Sequence, residues 1–318
     1  MTVDLVVREF EADLVVRSVT PAADGVVALT LARADGQDLP DWTPGAHIDL
    51  ILEDGLVRQY SLCGRTSEPG CWRVAVLHTP DSRGGSARVH KLTAGENVRV
   101  RGPRNHFPVV SSRRYLFLAG GIGITPLLAM IHEVSAAGAE WELHYGGRTL
   151  DSMAFTDELS GDRVHLVPED SHGRLDLSAI LGTPRPDTLV YACGPEGMLA
   201  AVESQCAAWP PGSLHLERFT AREVSPDSPD SEFEVVLQHS GKTLAVPAGQ
   251  SVFETVRQAG VSVLGSCLEG ICGTCETEVI DGEVDHRDSV LDDEERAAGE
   301  VMMICVSRCK GSRLTLAL

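Results

Sequence analysis

Four cysteines, Cys267, Cys272, Cys275 and Cys305, stand in the order C-x4-C-x2-C and then, after 29 intervening residues, C. That is the ligand spacing of a plant-type 2Fe–2S cluster, in which three thiolates from one short loop and a fourth from a distant strand complete a cage of four sulfurs. Gly265, Gly270 and Gly273 suit a loop that wraps closely and turns its backbone N–H groups toward the cluster sulfurs. Two other uses of the thiols compete. A structural zinc site usually shows two short CxxC-type pairs, and the chain has one. Disulfides suit secreted chains, whereas MTVDLVVREFEADL carries acids rather than a basic leader and an apolar stretch. The spacing favours a one-electron carrier.

Two glycine-rich turns carry the next chemistry. RYLFLAGGIGITPLLAM places Gly120, Gly121 and Gly123 where a buried strand passes into a helix. Glycine there lets backbone approach a phosphate, and the helix start offers free N–H donors. The turn departs from the G-x-G-x-x-G dinucleotide pattern, because Thr125 and Pro126 take the place of the last glycine. In YACGPEGML, Cys193 and Gly194 end another strand and Pro195 opens a helix. Ligands of open α/β sheets bind at such carboxyl ends, so two of them in one domain strengthen each other. Nearer the N-terminus, RQYSLCG offers the Arg58 guanidinium, the Tyr60 phenol and the Ser61 hydroxyl, and PDSRGGSARVH offers Gly84, Gly85 and Ser86 as a phosphate nest. Taken alone, that last pair also reads as an ordinary surface loop.

These residues need three scaffolds. Up to about residue 107 the chain is strand-rich and punctuated by Gly and Pro: VVALTLAR, AHIDLIL, RQYSLCG, WRVAVLHT and NVRVRGP read as strands of an antiparallel barrel. From residue 108 strands alternate with helices, which predicts a parallel sheet covered on both faces over 108–222. AREVSPDSPDSE has almost nothing apolar and reads as a linker, centred on 223–232. Over 233–318, a hairpin around Ser240–Gly241, the helix SVFETVRQAG, the cysteine loop and a last pair of strands predict a β-grasp ferredoxin module. The expected fold class is therefore multidomain.

The net charge of −19 argues against nucleic acid or an anionic membrane as partner. From Glu223 onward there are 18 acids against 7 Lys plus Arg, a net −11, while the first 222 residues carry 28 against 20, a net −8. An acidic surface keeps a protein soluble; it also suits docking of the C-terminal module on a basic face of a redox partner. Without a run of 18 apolar residues, the chain reads as soluble and cytoplasmic. The remaining cysteines, Cys63, Cys71, Cys193, Cys206 and Cys309, are scattered as reduced thiols are.

In combination and in this order, R-x-Y-S-L, GGIGITP, YACGPEGM and C-x4-C-x2-C…C closely resemble the phthalate dioxygenase reductase family, to which vanillate demethylase reductase components also belong. The resemblance covers essentially the whole chain. It implies a flavin-binding barrel, a nicotinamide-binding α/β domain and a plant-type ferredoxin domain, with FMN the expected flavin rather than FAD. By that resemblance Arg58 meets the flavin phosphate, Tyr60, Ser61 and Leu62 follow on the flavin strand, and Val76, Leu77 and His78 border it. Gly84, Gly85 and Ser86 match the phosphate loop, and Phe219 the aromatic that covers the flavin, where a plain core phenylalanine is the alternative. Gly121, Gly123, Thr125, Cys193, Gly194, Pro195 and Met198 match the nicotinamide site, with Thr125 and Cys193 expected at the point of hydride transfer. Arg148 falls where the adenosine ribose lies; an arginine there suits the 2′-phosphate of NADPH, but family members that prefer NADH are similar here, so NADH is expected and NADPH stays open.

The resemblance implies a reductase that passes electrons from NADH through FMN and the cluster to a separate oxygenase protein, most often a Rieske-type aromatic oxygenase or O-demethylase. The chain itself shows no Rieske Cys–His pairing and no 2-His-1-carboxylate iron motif. His78, His144, His165 and His172 read as ordinary strand or loop histidines. A haem monooxygenase is the alternative acceptor. A redox-sensing subunit with little turnover is the alternative of a different class.

Overall fold

A computed structural model of the protein describes residues 9–52, 56–80, 84–221 and 230–318. The described residues fall into two compact units, one ending at Glu217 and the other starting at Arg218. Most of the expected linker, residues 222–229, lies outside the described residues.

The first unit opens with β1 (Glu11–Ala23), β2 (Val26–Ala32), β3 (His47–Ile51), β4 (Val57–Ser61), β5 (Trp72–Leu77), the short helix α1 (Gly85–Val89) and β6 (Asn97–Arg104). Their sheet order is β4-β3-β6-β1-β2-β5, antiparallel throughout, and a bridge from Leu62 to Val74 joins the two edges into a barrel. Inward residues of alternate positions (Leu14, Val16, Leu29, Leu31, Ile48, Leu50, Val98, Val100) fill it around Trp72. One finding departs from the sequence reading. β1 was absent from the expected strands, yet it is central, paired with both β2 and β6. Its alternation is weak because only Leu14 and Val16 are buried along 13 residues.

The chain continues into β7 (Arg114–Gly120), α2 (Ile124–Ala136), β8 (Glu140–Gly147), β9 (Val164–Pro168), α3 (Glu169–His172), α4 (Leu177–Leu181), β10 (Thr188–Cys193), α5 (Glu196–Cys206) and β11 (Leu214–Glu217). The strands form a parallel sheet in the order β11-β10-β7-β8-β9. Apolar residues line both faces, as a sheet covered by helices requires. One of its two cores also takes in Val26, Ala28 and Ala75 of the barrel, so barrel and sheet share a core. Arg73 spans the same boundary, bonding Glu158 at 2.7 Å and lying 4.9 Å from the Phe155 ring centroid.

The second unit holds β12 (Phe233–Leu237), β13 (Lys242–Val246), α6 (Val252–Gln258), β14 (Glu276–Asp281), β15 (Val284–Asp285), α7 (Asp293–Ala298), β16 (Val301–Met303), β17 (Arg308–Cys309) and β18 (Arg313–Leu316). Its main sheet runs β13-β12-β18-β14-β16, with β12 and β18 parallel, and α6 buries Val252, Phe253 and Val256 in the same core as the strands. The hairpin turns at Gly241, where φ is +66°, as the Ser240–Gly241 pair predicted. In place of one last pair of strands there are two pairings, β14 with β16 and β15 with β17, plus β18. Among the described residues, no helix is long and apolar enough to cross a membrane.

Candidate functional site

The cysteine loop is where sequence and geometry meet most directly. Cys275 immediately precedes β14 and Cys305 follows β16 by two residues, and these strands pair antiparallel with Glu276 opposite Met303. The pairing therefore delivers Cys305 to the loop. All nine cysteines are free thiols. Cys267 is in thiol contact with Cys272 and Cys305, and Cys305 with Cys275, so the four sulfurs converge as one group. The loop bends at Gly270 (φ +71°) and Gly273 (φ +69°), and the Glu269 N–H donates to the Cys267 sulfur at 3.3 Å. Backbone N–H groups of Ile271 and Gly270 also point at Cys267 and Cys305.

Cys267, Cys272 and Cys305 resist ionising. Contact with Cys267, then burial, pushes Cys272 far up. For Cys305 the Cys267 contact pulls down, but the Cys275 contact and burial outweigh it and push the thiol up to about 12. Four thiolates this close need a cationic centre between them, and inward N–H donors suit one carrying acid-labile sulfide. The residues fit a 2Fe–2S cluster.

Asp288, which sequence reasoning missed, braces this loop. It is buried and accepts from the N–H groups of Val290 (3.1 Å) and Leu291 (2.9 Å) and from the Ser307 hydroxyl (3.3 Å), while the next residue, Ser289, donates its N–H to the Gly270 carbonyl at 2.8 Å. Burial opposes its charge, yet bonds to His286 and Leu291 and the Arg296 charge hold its carboxyl below the usual range.

In the first unit, two motifs 70 residues apart close on each other at the carboxyl ends of β7 and β10, which pair in register from Thr188–Arg114 to Cys193–Ala119. A Cβ on Gly123 would lie 2.2 Å from the Cys193 carbonyl oxygen; one on Gly120 would lie 2.6 Å from Pro195 Cδ and 2.9 Å from Met198 Sδ. Gly194 is as confined, by Met198 and Gly120, whereas Gly121 (φ +54°) faces open space. The glycines thus serve close strand-end packing and leave a backbone platform at Gly121. Replacing Gly123 by alanine is expected to force the two strand ends apart, costing about 1–3 kcal/mol and slowing NADH oxidation; urea unfolding and a ferricyanide assay on one preparation check both.

Thr125 is 2 % exposed and donates its hydroxyl to the Ile122 carbonyl at 3.0 Å. Cys193 is fully buried, and burial, then the neighbouring Glu217, raises its thiol well above the ordinary value. It is a neutral thiol and not an exposed nucleophile. Glu217 was missed by sequence reasoning. Parallel pairing sets it beside Cys193, its Oε2 is buried without a hydrogen-bond partner among the described residues, and burial pushes its carboxyl up to about 8. Arg148 is exposed just beyond β8, its carbonyl accepting from the Asp170 N–H.

On the barrel, a Cβ on Gly85 would meet Arg58 Cγ at 2.6 Å and Nε at 2.8 Å, so the arginine stem lies directly over the Gly84–Gly85 turn. Gly84 (φ +86°) has open space above it, and Ser86 receives the Thr79 N–H at 3.1 Å. A guanidinium over a glycine turn fits a phosphate monoester. The loop residues 81–83 lie outside the described residues. Tyr60 is half-buried against the barrel core, and burial pushes its phenol up to about 12 against the pull of Arg58. Ser61, Leu62 and Val76 are buried, whereas Leu77 and His78 are exposed, His78 meeting the His90 ring edge-on at 5.2 Å. Phe219 belongs to the second unit and is 38 % exposed, so it is not a core phenylalanine.

Comparison with known proteins adds three kinds of likeness. Residues 235–310 match the family of 2Fe–2S iron–sulfur cluster binding domains. The chain is 46 % identical over 314 residues to a putative toluene-4-sulfonate monooxygenase system reductase subunit of Comamonas testosteroni, covering 96 % of this chain and 98 % of that protein. Among solved structures, phthalate dioxygenase reductase, described as a modular structure for electron transfer from pyridine nucleotides to [2Fe–2S], superposes with a TM-score of 0.69 at 34 % identity, covering 97 % of this chain and 98 % of that one. An intact type IV self-sufficient cytochrome P450 monooxygenase superposes with a TM-score of 0.92 at 46 % identity; it covers 97 % of this chain, which spans 41 % of its length.

Proposed function

The chain belongs to the phthalate dioxygenase reductase family of oxygenase reductase components, and we propose that it carries electrons from NADH, through FMN and a 2Fe–2S cluster, to a separate oxygenase protein. When bound, FMN supplies two-electron hydride chemistry and the cluster supplies single-electron release. The observation that carries this reading is the convergence of the Cys267, Cys272, Cys275 and Cys305 sulfurs under inward N–H donors.

The chain's own residues hold and orient. Arg58 with Gly84, Gly85 and Ser86 takes the FMN phosphate, while Tyr60, Ser61, Leu62, Val76, Leu77 and His78 border the ring. Gly121, Gly123, Gly194, Pro195 and Met198 receive the nicotinamide end, Thr125 and Cys193 sit at the point of hydride transfer, and Arg148 meets the adenosine ribose. The tight Gly123–Cys193 approach and the arginine lying over Gly85 support these assignments. A neutral Cys193 thiol suits a positioning and water-excluding role beside an apolar ring better than covalent chemistry. The functional division runs 1–107 for the flavin, 108–222 for the nucleotide, 223–232 as linker and 233–318 for the cluster. The acidic cluster module, with Glu269, Glu276 and Glu278 near the ligands, docks on a basic face of the oxygenase, in the cytoplasm.

A second acceptor class has a specific observation in its favour. The likeness at 46 % identity to part of a self-sufficient cytochrome P450 supports a haem monooxygenase as the protein served. Anaerobic titration with NADH tests the relay, with acid-released flavin identified in the same sample. Bleaching of a flavin-plus-cluster spectrum together with a rhombic paramagnetic signal is the expected result. Reduction by NADPH alone would make Arg148 a 2′-phosphate reader; failure with both nucleotides would overturn the reductase reading in favour of a sensing subunit.

A further inference from the structure

Three side chains outside the relay meet on the nucleotide-binding sheet. Glu142 and His144 are two residues apart on β8 and so share one face, while Leu143 and Tyr145 between and beyond them bury into the core on the other. The parallel register sets His165 of the edge strand β9 directly beside His144. The two imidazoles stack with centroids 4.6 Å apart and planes 21° apart. Both Nε2 atoms lie 3.0 Å from the same oxygen, Glu142 Oε1.

We propose that Glu142, His144 and His165 form a binding site for a divalent first-row transition-metal ion, zinc being its simplest occupant. Two imidazoles and a carboxylate are a donor set for such ions. The three ligand atoms lie within 4.8 Å of one another. Tetrahedral ligands around zinc stand about 3.3 Å apart, given bonds of about 2 Å, so the 3.0 Å spacings need only a small opening. The second carboxylate oxygen is already engaged: Glu142 Oε2 receives Arg185 Nη1 at 3.1 Å, and Arg185 Nη2 is tied to the Ile180 carbonyl at 3.1 Å. That leaves Oε1 aimed at the two rings, an outer partner orienting a ligand.

Side-chain exposures of 14 % for His144, 34 % for Glu142 and 43 % for His165 leave the fourth position open to water. The residues lie upstream of the β8 end that leads to Arg148, so the ion would tie the edge strand to its neighbour and take no part in hydride transfer.

The test is calorimetric titration of the chelator-treated, flavin- and cluster-loaded protein with zinc chloride, paired with thermal unfolding. The expected result is one ion per chain with a micromolar or tighter Kd, a rise in unfolding temperature, a loss of at least about tenfold in affinity in His165→Gln, and no such binding in His144→Gln/His165→Gln. NADH-driven ferricyanide reduction by the metal-free variants should equal that of the parent, which separates loss of ligands from misfolding. Absence of stoichiometric binding below millimolar zinc would overturn the proposal. So would binding that persists undiminished in the double variant, since the ion would then sit on cysteines or surface carboxylates.

Discussion

Cys305→Ser is expected to abolish electron delivery to any acceptor served by the cluster, while NADH still reduces the flavin of the same protein. Of the four proposed ligands, Cys305 alone comes from outside the loop, brought in by the β14–β16 pairing, and it touches both Cys267 and Cys275. Its loss leaves three sulfurs of a four-sulfur cage. A serine oxygen is shorter and harder, and the Gly270 N–H that faces the Cys305 sulfur would face it instead. Loss of an outer partner of a metal ligand typically costs ~10–100-fold, so removal of a ligand should exceed that range in NADH–cytochrome c reduction. The barrel and the parallel sheet belong to the other compact unit and keep their own cores, so ferricyanide reduction through the flavin should persist. A variant that retained the rhombic signal and parental cytochrome c reduction would show that Cys305 is not a ligand.

Features written in contiguous residues were legible from the sequence. The three cysteines of the loop lie within nine residues, and each glycine turn announces itself where an apolar strand meets a helix start. What depended on pairing between distant strands was not. Glu217 looks like one position in the alternating LHLER, and only its register with Cys193 reveals a buried carboxyl beside that thiol. His144 and His165 read as ordinary strand histidines, and a local motif search misses them because the β8–β9 register assembles the trio. Asp288 turns its carboxylate back on the Val290 and Leu291 N–H groups as many loop aspartates do, and what sets it apart, the approach of Ser307 and Arg296, comes from elsewhere in the module. β1 was missed for a different reason: its burial is too sparse for a period-2 signal. α7 did carry a signal, the Asp292–Glu295 capping box and the Gly299 stop, which a closer reading of LDDEERAAG would have found.

Placement also changes what a motif residue means. Cys193 sits at the expected strand end, but its complete burial and the Glu217 carboxyl beside it make it a neutral thiol. Gly120, Gly123 and Gly194 of the two turns leave no room for a Cβ against the opposite strand end. Fold and site therefore share the same residues here, so substitutions at these glycines should move stability and turnover together.

Glu217 provides the sharpest test of that coupling, because its charge state should be visible in the stability of the protein. Burial raises its carboxyl from an ordinary value of 4.5 to about 8 in the folded chain. The folded state thus holds a proton that the unfolded state has already released. By linkage, its stabilising contribution is complete below pH 4.5 and is lost as pH rises to about 8, at up to about 1.4 kcal/mol per pH unit. Across the whole window the loss amounts to roughly a few kcal/mol. Glu217→Gln keeps the shape and cannot ionise. Urea unfolding of parent and variant at half-unit steps from pH 5 to 8.5 should show the parent losing stability relative to the variant throughout, with the difference levelling off above about pH 8. The readout is the slope of that difference, so a constant penalty for burying the amide does not affect it. Parallel stability curves would mean that the carboxyl ionises freely, and that the corner between β10 and β11 is open to water or supplied with a counter-charge.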